Sequence, residues 1–206
     1  MSLYEKYVLP KFLNCACGSR PVERQRKKVV PLAGGKVLEI GIGSGLNIPF
    51  YDKSKIVEVW GLDPSDALCE MAKKVALKES LEINFISSGA EEISLPDNYF
   101  DTVLITYTMC TIPEVLRAND EIKRVLKSEG KMIFCEHGVA PDENIRKWQN
   151  RINPYWGMLA GGCNINRNIP SLIEDSGFDI VELEEMYLPK TPKIAGYNYW
   201  GYAVAK

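Results

Sequence analysis

The run Val37-Leu38-Glu39-Ile40-Gly41-Ile42-Gly43-Ser44-Gly45 constrains this chain more than any other segment, because an apolar strand there enters a glycine-rich turn. Glycine at alternate positions lets the main chain bend through conformations closed to side chains and lets a ligand approach main-chain atoms. The same glycines would also serve a plain, tight strand-to-helix connection, so their surroundings decide between the two readings.

Those surroundings repeat the strand-then-helix pattern. Short β-branched runs are expected as strands near Lys36 to Ile40, Val57 to Asp63, Ile83 to Ser87, Thr102 to Thr106 and Lys131 to Glu136. Between them, Ser65 or Asp66 caps a helix running to about Lys78. A second helix begins after Pro113, carries Val115, Leu116, Ile122, Val125 and Leu126, and is expected to end at a left-handed Gly130. Asp142 to Asn153 and Ile169 to Asp175 read as further helices, the latter ended by Gly177. Asp179 to Tyr187 and Asn198 to Ala205 read as an antiparallel hairpin at the sheet edge. The pattern is α/β, a mostly parallel sheet with helices on both faces. With 206 residues, a single domain over 1–206 is expected, with 1–31 as an N-terminal helical extension and 137–206 as substrate-side helices and the C-terminal hairpin. Tyr4, Tyr7 and Phe12 are candidates for a lid.

Three features narrow the ligand. The third glycine falls at Gly45, whereas the dinucleotide fingerprint GxGxxG would want it where Leu46 stands. Glu39 closes the strand just before the turn, where a carboxylate would repel a diphosphate but attract an ammonium group. Asp63 follows Trp60-Gly61-Leu62, 63 − 41 = 22 positions beyond the first glycine, at a place suited to accepting both hydroxyls of a ribose. Asp63 also precedes a helix, which it would cap as readily. A nucleotide-dependent oxidoreductase using the same turn is the competing enzyme class.

At these residues the chain resembles the class I S-adenosylmethionine (SAM)-dependent methyltransferases, whose first motif is an acid followed by GxGxG and whose second strand ends in an acid. The correspondence continues through Gly89-Ala90-Glu91, Leu95-Pro96-Asp97-Asn98-Tyr99-Phe100-Asp101 and Ile122 to Gly130. The resemblance implies a Rossmann-like three-layer sandwich with a seven-stranded sheet and an antiparallel C-terminal strand. It also implies SAM as cofactor and S-adenosylhomocysteine as product. Carried over position by position, the implied cofactor contacts are Glu39, Gly41, Ile42, Gly43, Gly45, Asn47, Asp63, Pro64, Ala90, Glu91, Thr106, Tyr107 and Cys110. Of these, Ala90 and Glu91 would face the adenine, and Thr106 and Tyr107 the methionine portion. Glu91-Glu92, Cys110, Glu136-His137 and Gly161-Gly162-Cys163 further resemble the methyltransferase-like seven branch of thiol methyltransferases and its bacterial relatives.

Methyl transfer from a sulfonium is an in-line displacement, so alignment does most of the work. A thiol or hydroxyl acceptor must also lose a proton, and two candidate bases present themselves. Glu92 is the one the thiol branch implies, with an exposed loop carboxylate as its plain alternative. His137 is the single histidine, follows the fifth strand at the carboxyl edge of the sheet, and has an ordinary pKa of about 6.5. Trp148, Asn153, Tyr155, Trp156, Met158, Cys163 and Asn164 are expected to wall an apolar acceptor or, alternatively, to pack a helix. A small-molecule acceptor is expected; a phospholipid, amine or quinone acceptor and a non-catalytic SAM-binding protein are the alternatives.

Composition excludes other classes. A formal net charge of −2 gives no broad basic surface, so nucleic acid is not an expected partner. Arg20, Arg24, Arg26, Lys27 and Lys28 crowd one stretch, either a solvated helix face or a peripheral contact for an anionic or membrane surface. The six cysteines form no CxxC pair and no secretory signal is recognised, so reduced thiols and a cytoplasmic setting are expected, with no metal centre. No apolar run reaches the ~18 residues of a spanning helix, and Tyr4 to Gly18 is too short and interrupted for a stable anchor.

Overall fold

The computed structural model describes residues 9–206. Tyr4 and Tyr7, and the side chain of Phe12, lie outside the described residues. The helices are α1 (Leu9–Cys17), α2 (Arg20–Val29), α3 (Asp66–Glu79), α4 (Val115–Val125), α5 (Glu143–Leu159), α6 (Ile169–Asp175) and α7 (Lys193–Gly196). The strands are β1 (Gly35–Ile40), β2 (Ile56–Leu62), β3 (Asn84–Ile86), β4 (Phe100–Thr106), β5 (Leu126–His137), β6 (Phe178–Tyr187) and β7 (Tyr197–Ala205).

The strands form one seven-stranded sheet in the order β3-β2-β1-β4-β5-β7-β6. The first five run parallel, and β7 pairs antiparallel with both β5 and β6. This is the mixed Rossmann-like sheet expected from the alternating pattern. Its strand order reverses between β1 and β4, and at such a switch point the loops diverge and leave a crevice at the carboxyl edge.

Alternation along the strands sorts the core into two layers. Leu38, Ile40, Val103, Ile105, Met132 and Phe134 face α4 and α6. Val37, Val59, Leu104, Ile133 and Cys135 face Val29 and Val30 at the end of α2. Each of the larger side chains contributes about 1.5–3 kcal/mol by leaving water. By the same alternation Glu39, Thr106 and His137 fall on the α2 side, which gathers them along one edge.

The helix after Pro113 is shorter than its periodicity suggests. α4 stops at Val125, and Leu126 is already extended and pairs with Phe100 in β4. Gly130 is not left-handed; a Cβ there would sit 2.9 Å from Lys127 O and 3.1 Å from Phe100 O. Glycine is required by the close approach of Leu126, Lys127 O and Phe100 O, not by a helix cap. α5 in turn runs past Asn153 to Leu159 with Pro154 inside it. α3 is capped by Ser65, whose hydroxyl accepts from Leu68 N. Among the described residues, no helix is long and apolar enough to cross a membrane.

Candidate active site

All three glycines of the turn have positive φ: Gly41 at 69°, Gly43 at 55° and Gly45 at 82°. They are not interchangeable. A Cβ on Gly41 would stand 2.3 Å from the Thr108 side chain, and one on Gly45 would stand 2.8 Å from Ile48 Cδ1 and 3.0 Å from Ala72 Cα. A Cβ on Gly43 would meet only Gly41 O, at 3.8 Å, so this glycine faces open space of the kind a ligand fills. Ile42 is buried and anchors the turn in the core with Ile48 and Ala72.

Asp63 ties the turn to the next strand. Its Oδ2 accepts the Gly43 N–H at 3.0 Å and its Oδ1 accepts the Ser65 N–H at 2.8 Å. The acid thus sits beside the glycine cradle, while Ser65 rather than Asp63 caps α3. Burial raises its pKa, against the two N–H groups that lower it. Pro64 beside it is exposed.

Glu39 is only 2% exposed. Its Oε1 accepts from Asn47 Nδ2 at 2.8 Å and its Oε2 from the Tyr51 hydroxyl at 2.7 Å. Burial pushes its pKa up to about 7 despite these two bonds. Asn47 Nδ2 also reaches Thr106 Oγ1 at 2.9 Å. Into this network comes Arg26 of α2, donating to Asn47 Oδ1 at 2.6 Å and to Thr106 Oγ1 at 2.7 Å. Arg26 is 5% exposed, so the basic stretch is not a uniformly solvated face. The signal was available: Arg26 lies four residues after Val22 and three before Val29, on the inward side of α2.

Beyond Thr106, Tyr107 adopts a left-handed φ of 53°, which a bulky residue takes only where its surroundings enforce it. Its hydroxyl donates to Asn198 Oδ1 at 2.8 Å, and its ring lies parallel to that of His137 at 6.4 Å. Glu136, fully buried, clamps the following loop: its Oε1 accepts the N–H groups of Thr108 at 2.7 Å and Met109 at 2.9 Å. Burial raises the Glu136 pKa to about 7. This clamp was hidden in the sequence, because only the tertiary fold aligns the end of β5 with the loop after β4.

That loop carries Cys110 to the last residue of β5, His137, and to Cys163 in the turn after α5. His137 Nε2 lies 3.3 Å from Cys163 Sγ, and the two sulfurs are 3.8 Å apart. Cys110 beside it and the His137 imidazole hold the Cys163 thiol below its ordinary pKa. Burial opposes a charge on His137, but the Cys163 sulfur and Glu136 outweigh it and raise its pKa. Arg26 Nε, Glu136 Oε2 and His137 Nδ1 are buried without a hydrogen-bond partner among the described residues. Those free valences, with the open face of Gly43, fit a polar ligand at the carboxyl edge.

Glu92 is placed elsewhere. It is exposed and lies in a groove of about 330 Å³ with Ser88, Gly89, Glu91, Ser94 and Arg117. None of Cys110, His137 and Cys163 borders that groove. Ala90 is buried in the core beside Glu91.

The aromatic wall is also redistributed. Trp148, Tyr155 and Met158 are 54%, 66% and 72% exposed among the described residues. Trp156 and Cys163 instead pack with Cys110, Ala160 and Ile165, and Asn153 and Asn164 bond to each other at 2.9 Å. The sequence placed these residues together after the fifth strand, but only the packing of α5 and the turn that follows it decides which of them face inward. A cleft of about 530 Å³ that was not anticipated lies between the glycine turn, α2 and α3, bordered by Gly18, Arg26, Ser44, Phe50, Met71 and Val75.

Comparison with known proteins shows what the chain is similar to. A family model described as a methyltransferase domain matches residues 38–134. The human thiol S-methyltransferase TMT1A is 27% identical over 172 residues, covering 82% of this chain and 70% of that protein. A phosphatidylethanolamine N-methyltransferase from Cereibacter sphaeroides is 32% identical over 136 residues, covering 65% and 66%. A SAM-dependent methyltransferase structure from Aquifex aeolicus shares the fold at a TM-score of 0.66 and 20% identity, with 96% and 97% of the two chains covered.

Proposed function

Because the chain belongs to the class I SAM-dependent methyltransferases, we propose that it methylates a small-molecule thiol, with SAM seated over the glycine turn and the acceptor beside His137. SAM supplies an electrophilic sulfonium methyl group and leaves as S-adenosylhomocysteine. Gly41, Gly43 and Gly45 form the cradle in this reading, with Ile42 anchoring it. Asp63, next to Pro64, takes the ribose, Ala90 and Glu91 border the adenine, and Glu39, Asn47, Thr106, Tyr107 and Cys110 surround the amino-acid portion and the methyl group. Glu39 acts there as an organiser of Asn47 and Tyr51, since both of its oxygens are already engaged.

The observation that carries the thiol reading is the buried group of Cys110, His137 and Cys163 at the carboxyl ends of β4 and β5. A thiol is nucleophilic as its thiolate, and an imidazole with a raised pKa is suited to accept its proton and stay beside the anion. Glu92 has no part in the step. The relationship to thiol methyltransferases supports the same acceptor class. A lipid-borne amine is the second reading, favoured by the exposed Trp148, Tyr155 and Met158 on α5 and by the phospholipid methyltransferase relative.

Two experiments test the proposal in order. Calorimetry should detect SAM and S-adenosylhomocysteine binding. A panel of alkyl thiols, amines, phenols and phosphatidylethanolamine vesicles should then release S-adenosylhomocysteine with thiols first. Turnover confined to the vesicles would replace the thiol with the lipid amine, and binding without turnover on any acceptor would leave a SAM-binding protein.

A further inference from the structure

Cys110, His137 and Cys163 come from three separate segments, yet one donor atom from each lies within 4.8 Å of the others. The two cysteines are free thiols, exposed by only 2% and 7%. A tetrahedral ion with metal–sulfur bonds of about 2.3 Å and a metal–nitrogen bond of about 2.0–2.1 Å sets a sulfur–sulfur edge of about 3.8 Å and a sulfur–nitrogen edge of about 3.5 Å. The observed edges are 3.8 Å between the sulfurs and 3.3 Å from Cys163 Sγ to His137 Nε2. Two edges of the coordination figure are therefore already present, and the third lies within the 4.8 Å bound.

The surrounding chain holds this geometry in place. Gly161 and Gly162, at φ of 61° and 86°, turn the backbone after α5 so that Cys163 faces back into the protein. Asn164 then locks that turn to the Cys110 loop, its N–H and its Nδ2 both donating to Cys110 O, at 2.9 and 3.1 Å. Asn153 secures Asn164 from α5. From the other side Glu136 grips the backbone at Thr108 and Met109. Hydrogen bonds around the donors add to the direct contacts among them in setting their spacing, as in preorganised metal sites.

We propose that Cys110, His137 and Cys163 bind a single soft cation of the zinc(II) class. Two thiolates and an imidazole select such an ion over magnesium or calcium, which prefer oxygen ligands. Three protein ligands leave a tetrahedral ion one open position, and the acceptor sulfur occupies it; this last clause rests on the thiol reading above. In that step the acceptor S–H bond breaks, its proton leaves to solvent, and the sulfur keeps the electron pair as it bonds to the cation. With the ion on Nε2, stabilising the thiolate passes from the imidazole to the metal.

The test uses the full-length, untagged protein and cobalt(II) as the probe. One equivalent should bind and show thiolate-to-cobalt charge-transfer absorption, displaced by zinc(II). Cys110→Ser and Cys163→Ser, checked for folding by circular dichroism, should each weaken binding by more than the about 10–100-fold cost of losing an outer contact. Zinc K-edge absorption on the unaltered protein, which needs no variant, should report two sulfurs and one imidazole nitrogen. A shell of oxygen and nitrogen alone, or cobalt binding undiminished in the double variant, overturns the site. Adding the acceptor thiol should shift the cobalt bands, and chelation that leaves thiol methylation unaltered overturns the open-position clause. Metal binding as described with no thiol methylated at all refutes the proposed acceptor instead.

Discussion

The Arg26 guanidinium donates to the Thr106 hydroxyl at 2.7 Å, so a helix that precedes the glycine turn is anchored at the carboxyl end of β4. The same group bonds Asn47 Oδ1 at 2.6 Å, and Asn47 in turn holds Glu39. Arg26→Met should remove two charge-assisted bonds and leave buried acceptors short of donors. The expected loss is about 3 kcal/mol of stability, read from the urea midpoint, together with weaker SAM binding. A midpoint and affinity matching the unaltered protein would show that this network holds nothing together.

Two glycines of the turn should respond oppositely to the same substitution. Gly45→Ala places a Cβ 3.0 Å from Ala72 Cα and 2.8 Å from Ile48 Cδ1 at positive φ, and should destabilise the fold by about 2–4 kcal/mol. Gly43→Ala meets only an ordinary contact; it should cost about 1–2 kcal/mol in backbone strain and reduce SAM affinity at least about tenfold. Thermal unfolding and calorimetry on both variants separate the effects. Equal SAM affinity in Gly43→Ala and the unaltered protein would move the cofactor off this glycine.

Stability should depend on pH through Glu39, whose pKa is raised by burial to about 7 against about 4.3 when unfolded. The folded state then binds more protons than the unfolded state between those values, so its stability falls as pH rises from about 4.3 to about 7 and is flat with respect to this group outside that window. The decline is at most about 4 kcal/mol. Glu39→Gln removes the titration, so its denaturation midpoint should drop less across the same interval. Parallel pH profiles for the two proteins would contradict the raised pKa of this acid.

Kinetics should divide the two candidate bases. His137→Asn is expected to lower the rate with a thiol acceptor by about 100-fold or more. Glu92→Gln, exposed and in a groove that His137 does not border, should stay within about a factor of two. The reverse ranking would return the acceptor to the groove beside Arg117.

The parallel sheet, the capped α3 and the glycine turn were legible because each rests on a local rule: alternation along a strand, a serine before a helix, a backbone conformation that glycine adopts freely. The end of α4 was not, since Leu126 suits a helix face and a strand equally and pairing with Phe100 decides between them. Trp148 and Trp156 make the same point on one helix. Both are aromatic, yet one is exposed and the other packs against Cys163, a difference that depends on what covers each face.

The amino-acid sequence by itself determined the α/β architecture, the cradle from Gly41 to Gly45 and the acids Glu39 and Asp63 beside it, because those features follow from backbone and periodicity over a few neighbouring residues. Tertiary structure alone decided that Arg26 turns inward, that Glu92 stands apart, and that Cys110, His137 and Cys163 meet. The physical reason is that residues far apart along the chain become neighbours only when strand order and loop packing bring them together, and burial then fixes their hydrogen bonds and charge.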